Sequence, residues 1–436
     1  MTDATATGPG LSDTSRMPAG HALDATRGDY DAGGQSLFWL SLRMACLTVL
    51  TLGIYRFWMT THLRRHYWRA IRVLGDPFEY SGTGLEKLLG FLIAVIILAV
   101  YLGIFNLALT FGGLLSLEDP IELQILTSLS FLVSLPLIYF ATYRARRYIL
   151  ARTRWRGIRF GMDQAAWGYT GRALLLTLLS TLTLGLTYPY QHFKLEKFKT
   201  DRTWFGDLRF EQGGGWGQLF RYWIWFYVII GIIIAAVGGM AASPESASAR
   251  TLAIVAMIFG YIAIFIVGMR YQVAAFRYLW NNRTLGGARF SNDIDTGEVI
   301  GVYIGGSLAT GICGALLGAI MVAALTAIAY VIGLLVHGSA DPMEALGPWL
   351  SGGELGEAGA SWVAVATLLV SYIVIGAAAF AFAQIFITRP ILRRKAEGMQ
   401  IFNVAALAES RQRAHDDATD AGGFADALGV DVGAGF

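Results

Sequence analysis

The chain has 436 residues, of which 55% are hydrophobic and 15% charged, with a formal net charge of +3. Soluble domains carry about 25% charged residues, so a water-soluble globule is excluded, and the apolar excess lies in long blocks that suit membrane spans. The two cysteines, Cys46 and Cys313, stand in separate apolar stretches and exclude a disulfide framework or a cysteine metal site.

Residues 1–35 have no apolar stretch behind a basic start and read as a flexible cytoplasmic tail. Next come two unusual apolar segments, 36–54 and 173–188. The first carries Arg43 near its middle, and the apolar part of the second, Ala173–Leu186, has only 14 residues. Stretches of about 10–14 apolar residues are more often interfacial than spanning. Both are expected to dip into the cytoplasmic leaflet and return. The alternative is eight full crossings with one basic loop outside.

Six longer apolar runs follow in pairs: 88–115 with 123–141, 220–242 with 251–269, and 300–336 with 361–387. The connectors within the pairs hold eight acids and one base, whereas the five remaining connectors hold 29 of the 34 Lys and Arg. Basic loops stay in the cytoplasm. The expected fold class is therefore an all-α polytopic membrane protein. It has about six transmembrane helices in three hairpins and two shallow or re-entrant helices. Both termini are cytoplasmic.

An internal tandem repeat runs through this pattern. Leu50-Thr51-Leu52-Gly53 before Tyr55 matches Leu182-Thr183-Leu184-Gly185 before Tyr188, and Phe78-Glu79 matches Phe210-Glu211 at the same offset of 132. The expected organisation is a tail (1–35), repeat 1 (36–169), repeat 2 (170–298), a third hairpin or partial repeat (299–395) and an acidic cytoplasmic tail (396–436). Each basic loop continues into an aromatic: Phe78, Phe160, Phe210 or Phe290. The residues around them read as short extended segments that pair into a small cytoplasmic sheet.

These residues resemble the YjgN-like (DUF898) family of bacterial inner-membrane proteins. The resemblance rests on Leu50 through Trp58, Leu63-Arg64-Arg65-His66-Tyr67-Trp68, Gly75, Phe78 through Gly84, Leu184 through Pro189 and Gly422 through Gly433. It implies an inner-membrane location and no particular activity.

The candidate anion- or lipid-binding residues are Arg43, Arg64, Arg65, Arg146, Arg147, Arg154 and Arg221. Seven arginines lie between Arg144 and Arg159 alone. Polybasic segments attract anionic headgroups by about 1 kcal/mol per charge, and the same charges also serve positive-inside topology. His62 and His66 share a helical face but lack the glutamate of a zinc-protease motif. Small-residue stripes at Gly301, Gly305, Gly314 and Gly318 allow close helix packing, static or moving. No Asp or Glu lies inside an expected span. No catalytic, nucleotide-binding or metal motif appears, so neither an enzyme nor a cofactor is expected. Two functions stay open. One is a transporter or channel-like protein for a small solute, anion or lipid. The other is a scaffold that binds anionic lipid or a cytoplasmic partner through its basic loops. The partners expected are membrane lipids, with a homo-oligomer or a cytoplasmic protein as further options, and no nucleic acid.

Overall fold

The computed structural model describes residues 25–32, 36–114, 120–337, 358–408 and 410–413. Its centre is a closed barrel of ten short antiparallel strands. They are β1 (Thr26–Tyr30), β2 (Ile71–Val73), β3 (Asp76–Tyr80), β4 (Thr153–Trp155), β5 (Ile158–Met162), β6 (Thr203–Phe205), β7 (Leu208–Gln212), β8 (Arg283–Leu285), β9 (Ala288–Asn292) and β10 (Met399–Phe402). The all-α expectation is therefore wrong. Each strand is too short to stand out from a loop in the sequence, and stability comes only from closing the ring, which leaves no unpaired edge. Strands β1 and β10 come from stretches read as tails.

The strands follow chain order around the ring, and β1 pairs with both β2 and β10. Four local hairpins each join a three-residue strand to a five-residue strand through two residues: Leu74-Gly75, Arg156-Gly157, Gly206-Asp207 and Gly286-Gly287. Three of these turns have positive φ at both positions, as in Gly286 (56°) and Gly287 (98°). That conformation matches the twist of the strands it joins.

Helix pairs connect one hairpin to the next. The long pairs are α3 (Gly84–Leu114) with α4 (Pro120–Ala151), α7 (Gly217–Ala242) with α8 (Ala247–Asn281), and α9 (Thr296–His337) with α10 (Ala358–Ala383). The short pairs are α1 (Leu37–Leu50) with α2 (Arg56–Ala70), and α5 (Ala166–Leu182) with α6 (Tyr188–Thr200). A π-helical turn, Gln384–Thr388, runs from α10 into α11 (Arg389–Glu397), and α12 (Ala405–Ala408) follows β10. Because the strands alternate in direction, all four tight turns lie at one end of the barrel and every helix pair leaves from the other.

Register defines two inward rings. Phe78 faces Trp155, Phe160 faces Phe205, Phe210 faces Leu285, Phe290 faces Ile401, and Gly28 faces Val73. One step nearer the helices, Tyr30, Tyr80, Met162, Gln212 and Asn292 face Ile71, Thr153, Thr203, Arg283 and Met399. The first ring packs across the lumen, with Phe160 and Phe205 centroids 4.6 Å apart, Phe78 and Phe160 6.2 Å, and Phe210 and Phe290 5.9 Å. The lumen is thus a filled core, where each buried Phe contributes about 1.5–3 kcal/mol. The opposite face carries exposed Asp29, Glu79, Arg209, Glu211 and Arg289. A barrel in lipid needs an apolar outer face and strands of about 9–11 residues, so this one suits water.

Five helical segments are long and apolar enough to cross a membrane: Gly84–Ala108, Gly217–Ala242, Ala247–Asn281, Thr296–Ala324 and Leu369–Glu397. No more than 22% of any of these apolar windows is buried within the chain, and many large apolar side chains on them are exposed, as expected of surfaces that face lipid.

The two short pairs turn by the same device. Gly53 N donates to Thr48 O and Leu52 N to Val49 O, while Gly185 N donates to Ser180 O and Leu184 N to Thr181 O. This is the 6→1 and 5→2 pattern that satisfies the last carbonyls of a helix. Its left-handed position is normally Gly, but here it is Leu52 (φ 51°) and Leu184 (φ 52°). Both leucines are almost fully exposed, at 95% and 86%.

Candidate functional site: a cationic cluster at the barrel mouth

The second inward ring opens toward the helices, and there a charged cluster forms between α4, α6 and β8. Glu196 lies in the last half of α6. Lys199 follows it at i+3 and so shares its face. Arg146 enters from α4, and Arg283 from the first position of β8.

One carboxylate holds all three cations. Arg146 Nη1 donates to Glu196 Oε2 at 3.0 Å, Lys199 Nζ donates to Glu196 Oε1 at 2.5 Å, and Arg283 Nη2 stands 3.8 Å from Oε2. The side chains are 7–17% exposed. Arg283 Nε also donates to Gln212 Oε1 at 3.0 Å, and Gln212 Nε2 donates to Leu279 O at 2.9 Å. The strand register therefore fixes the height of the guanidinium. Trp280 and Tyr169 supply ring faces to Arg283 (5.3 Å) and Lys199 (5.9 Å).

Burial alone would raise the Glu196 carboxyl, but Lys199, Arg146 and Arg283 outweigh it and hold it well below the usual range. Burial lowers the Lys199 ammonium, and Glu196 opposes that shift. Burial and the neighbouring Arg146 bring Arg283 down to about 10, against the pull of Glu196. Geometrically, three cations surround this one carboxylate among the described residues.

The polar face continues along α6. Tyr188, His192, Glu196 and Lys199 recur at the spacing of one helical face. His192 Nδ1 lies 3.0 Å from Tyr271 Oη, and Tyr188 packs at a tilt against Trp223, centroids 4.8 Å apart. Trp223 Nε1 and Tyr227 Oη donate to the Gly185 and Leu184 carbonyls at the tip. A polar row thus runs from the α5–α6 tip to the barrel mouth.

Of the arginines singled out from the sequence, Arg146 is in the cluster, and Arg147 on the same helix donates through Nε to Met162 O at 3.0 Å. Arg64 lies over Tyr80 (5.3 Å), and Arg65 Nη2 donates to Gly82 O at 2.7 Å, so both join α2 to the exit of β3. Arg154 is on the outer face of β4, opposite Glu79. Arg43 and Arg221 are exposed, the latter over Tyr222 at 5.7 Å. The seven do not form one surface. The motif residues divide by role. Gly53, Tyr55, Gly185 and Tyr188 build the two tips. Phe78 and Phe210 fill the lumen, and Glu79 and Glu211 face outward. His62 Nδ1 bonds the Trp58 carbonyl at 2.8 Å, and the described residues contain no group of three or more His, Cys, Asp or Glu able to hold a metal. Glu196, Lys199, Arg283 and Gln212 escaped the sequence reading, although the spacing from Tyr188 to Lys199 was its available signal.

The fold thus joins five helical segments long and apolar enough to cross a membrane to a closed ten-strand barrel whose outer face carries charged side chains. Residues 25–343 match the family model described as bacterial protein of unknown function (DUF898), and the chain belongs to that family. No curated protein and no solved structure matches it.

Proposed function

We propose that this is a bacterial inner-membrane protein whose barrel and termini lie in the cytoplasm, and that it binds an anionic lipid headgroup or small anion at the cluster. The observation that carries the reading is the charge imbalance: among the described residues, Arg146, Lys199 and Arg283 share Glu196 as their one acidic partner. Buried charge is costly unless paired, and a bound anion relieves the excess. In this arrangement the three long pairs cross the bilayer and the two short pairs enter only its cytoplasmic leaflet. The tandem-repeat reading fits the recurrence of the tip geometry.

The test uses full-length protein in non-ionic detergent, with inorganic phosphate and phosphatidylglycerol nanodiscs as probes. Both should raise the unfolding temperature of the wild type, and Arg146→Gln with Lys199→Gln should abolish the rise. No rise in the wild type would sink the reading. For topology, a cysteine introduced at Leu74 should be labelled only from the cytoplasmic side.

A transport role is the second reading, favoured by the polar row from Tyr188 to Lys199. Its path would follow α6, because aromatic side chains fill the barrel axis. Anion flux in liposomes that disappears in His192→Phe would support it.

A further inference from the structure

Away from the cluster, the basic run Arg393-Arg394-Lys395 on α11 is divided unequally. Arg393 Nε pairs with Glu397 at 2.7 Å, and Arg394 Nε pairs with Glu298 at 2.9 Å. Nearby Asp293 accepts from Gln400 at 3.3 Å. Among the described residues, Lys395 has no carboxylate partner. Its ammonium stands 4.5 Å from the Phe276 ring centroid and makes no hydrogen bond among the described residues.

That ammonium borders a cleft of about 310 Å³ between α8, the start of α9 and α11. This volume lies in the usual range for small-molecule sites, about 300–1,000 Å³. One wall runs along α8 from Phe265 through Met269 to Phe276, about 16 Å at 1.5 Å per residue. Ile294, Val299 and Ile391 complete an apolar slot. Besides Lys395, its polar groups are the Gln272 amide and the Tyr303 hydroxyl, neither with a side-chain hydrogen bond in the described structure. The slot lies where α8 and α9 meet the barrel, which in the arrangement proposed above is the boundary between bilayer and water.

We infer that the cleft between α8, α9 and α11 binds an amphiphile with an acyl chain and an anionic head, the chain lying along Phe265–Phe276 and the head meeting Lys395, Gln272 and Tyr303. Charge complementarity selects the head: an ammonium without a carboxylate, beside two free hydrogen-bonding groups, suits a carboxylate or phosphate. The apolar walls exclude a bare inorganic anion as the preferred occupant. The site shares no residue with the cluster, so either can fail without the other.

Native mass spectrometry and competition in non-ionic detergent test the assignment, with dodecanoate, phosphatidylglycerol and uncharged dodecanol as probes. Dodecanoate or phosphatidylglycerol should bind wild type at one site, and Lys395→Gln should weaken binding about tenfold, as expected for one lost charge-assisted contact. Dodecanol binding should not change with that substitution. Val273→Trp should block the slot, whereas Glu196→Gln should leave it intact. Binding of dodecanoate alone would identify a free fatty acid, and binding of phosphatidylglycerol a phospholipid. A photoreactive fatty acid on unmodified protein gives a readout independent of variant folding: its adducts should map to residues 265–276 and 294–303. Adducts elsewhere, or affinities equal in wild type and Lys395→Gln, would overturn the inference.

Discussion

Four of the five strand units in the barrel are local hairpins, and the fifth is a seam between β1 and β10. In the local hairpins the third residue of the long strand is Phe78, Phe160, Phe210 or Phe290. At the same place in the β1–β2 pairing stands Gly28. A Cβ there would lie 2.4 Å from the Ala396 carbonyl oxygen and 3.0 Å from Met399 Cε. The end of α11 occupies the space that an aromatic ring takes elsewhere. A cavity of about 30 Å³ remains beside it, lined by Trp68, Ile71, Phe78, Leu392, Lys395, Ala396 and Met399, room for one water. The same ring position is filled by a side chain where the chain turns locally and by a helix end where remote segments meet.

The largest effect should come from removing this difference. Gly28→Phe places a ring against backbone that cannot yield, and we expect it to prevent barrel closure, seen as loss of monodisperse protein on size exclusion. Gly28→Ala should destabilise by about 1–3 kcal/mol. On the local side, Phe160→Ala should cost about 3–5 kcal/mol, measured by thermal or denaturant unfolding in detergent. If the two sides were equivalent, Gly28→Ala would be neutral.

Glu196→Gln should cost about 3 kcal/mol, because it leaves Arg146, Lys199 and Arg283 without their carboxylate. Phosphate added to that variant should restore part of the loss. The acid response follows the same logic. The folded-state pKa of Glu196 is depressed, so its stabilisation is complete above about pH 4.5 and disappears as pH falls through the lower folded value.

The seam should respond at milder pH. Burial first, and then Arg389, lower the pKa of His66. The unfolded chain therefore takes up the proton first, and stability falls as pH drops below about 6.5. His66→Leu should flatten the unfolding temperature between pH 7 and 5.5, whereas an unchanged profile would place the titration elsewhere.

The smallest effect belongs to the tips. Leu52→Gly removes the strain of a left-handed leucine, and we expect a gain of about 1 kcal/mol in detergent. In bilayers, where the proposed arrangement puts the tip in the cytoplasmic leaflet, the same variant should lose stability, since an apolar side chain then leaves hydrocarbon.

The helix pairs and the places where hairpins fall were readable from apolar runs, basic connectors and recurring Phe. The difference between short and long pairs was readable too, because Ala173–Leu186 lacks length and Arg43 interrupts its segment. Closure of the barrel was not. Its register is set between segments remote in sequence, and β1 reads Thr-Arg-Gly-Asp-Tyr, with polar residues outward and glycine inward. That composition is indistinguishable from a tail until its neighbours are known. Arg146 and Tyr188 were visible as candidates, but Glu196 and Lys199 lay in a loop read only for its positive charge. Arg283 gains its role from a strand pairing with Gln212 that no local pattern announces.

The closing strand has a consequence for biosynthesis. Strand β10 is translated after α3 to α10, so every helix pair leaves the ribosome before the ring can shut. Until then β1 and β9 each present an unpaired edge, the kind of surface that invites pairing with other chains. Completion of the barrel thus waits on a strand that follows all the long helix pairs in the chain. A chain that lacks this strand keeps the edges of β1 and β9 unpaired.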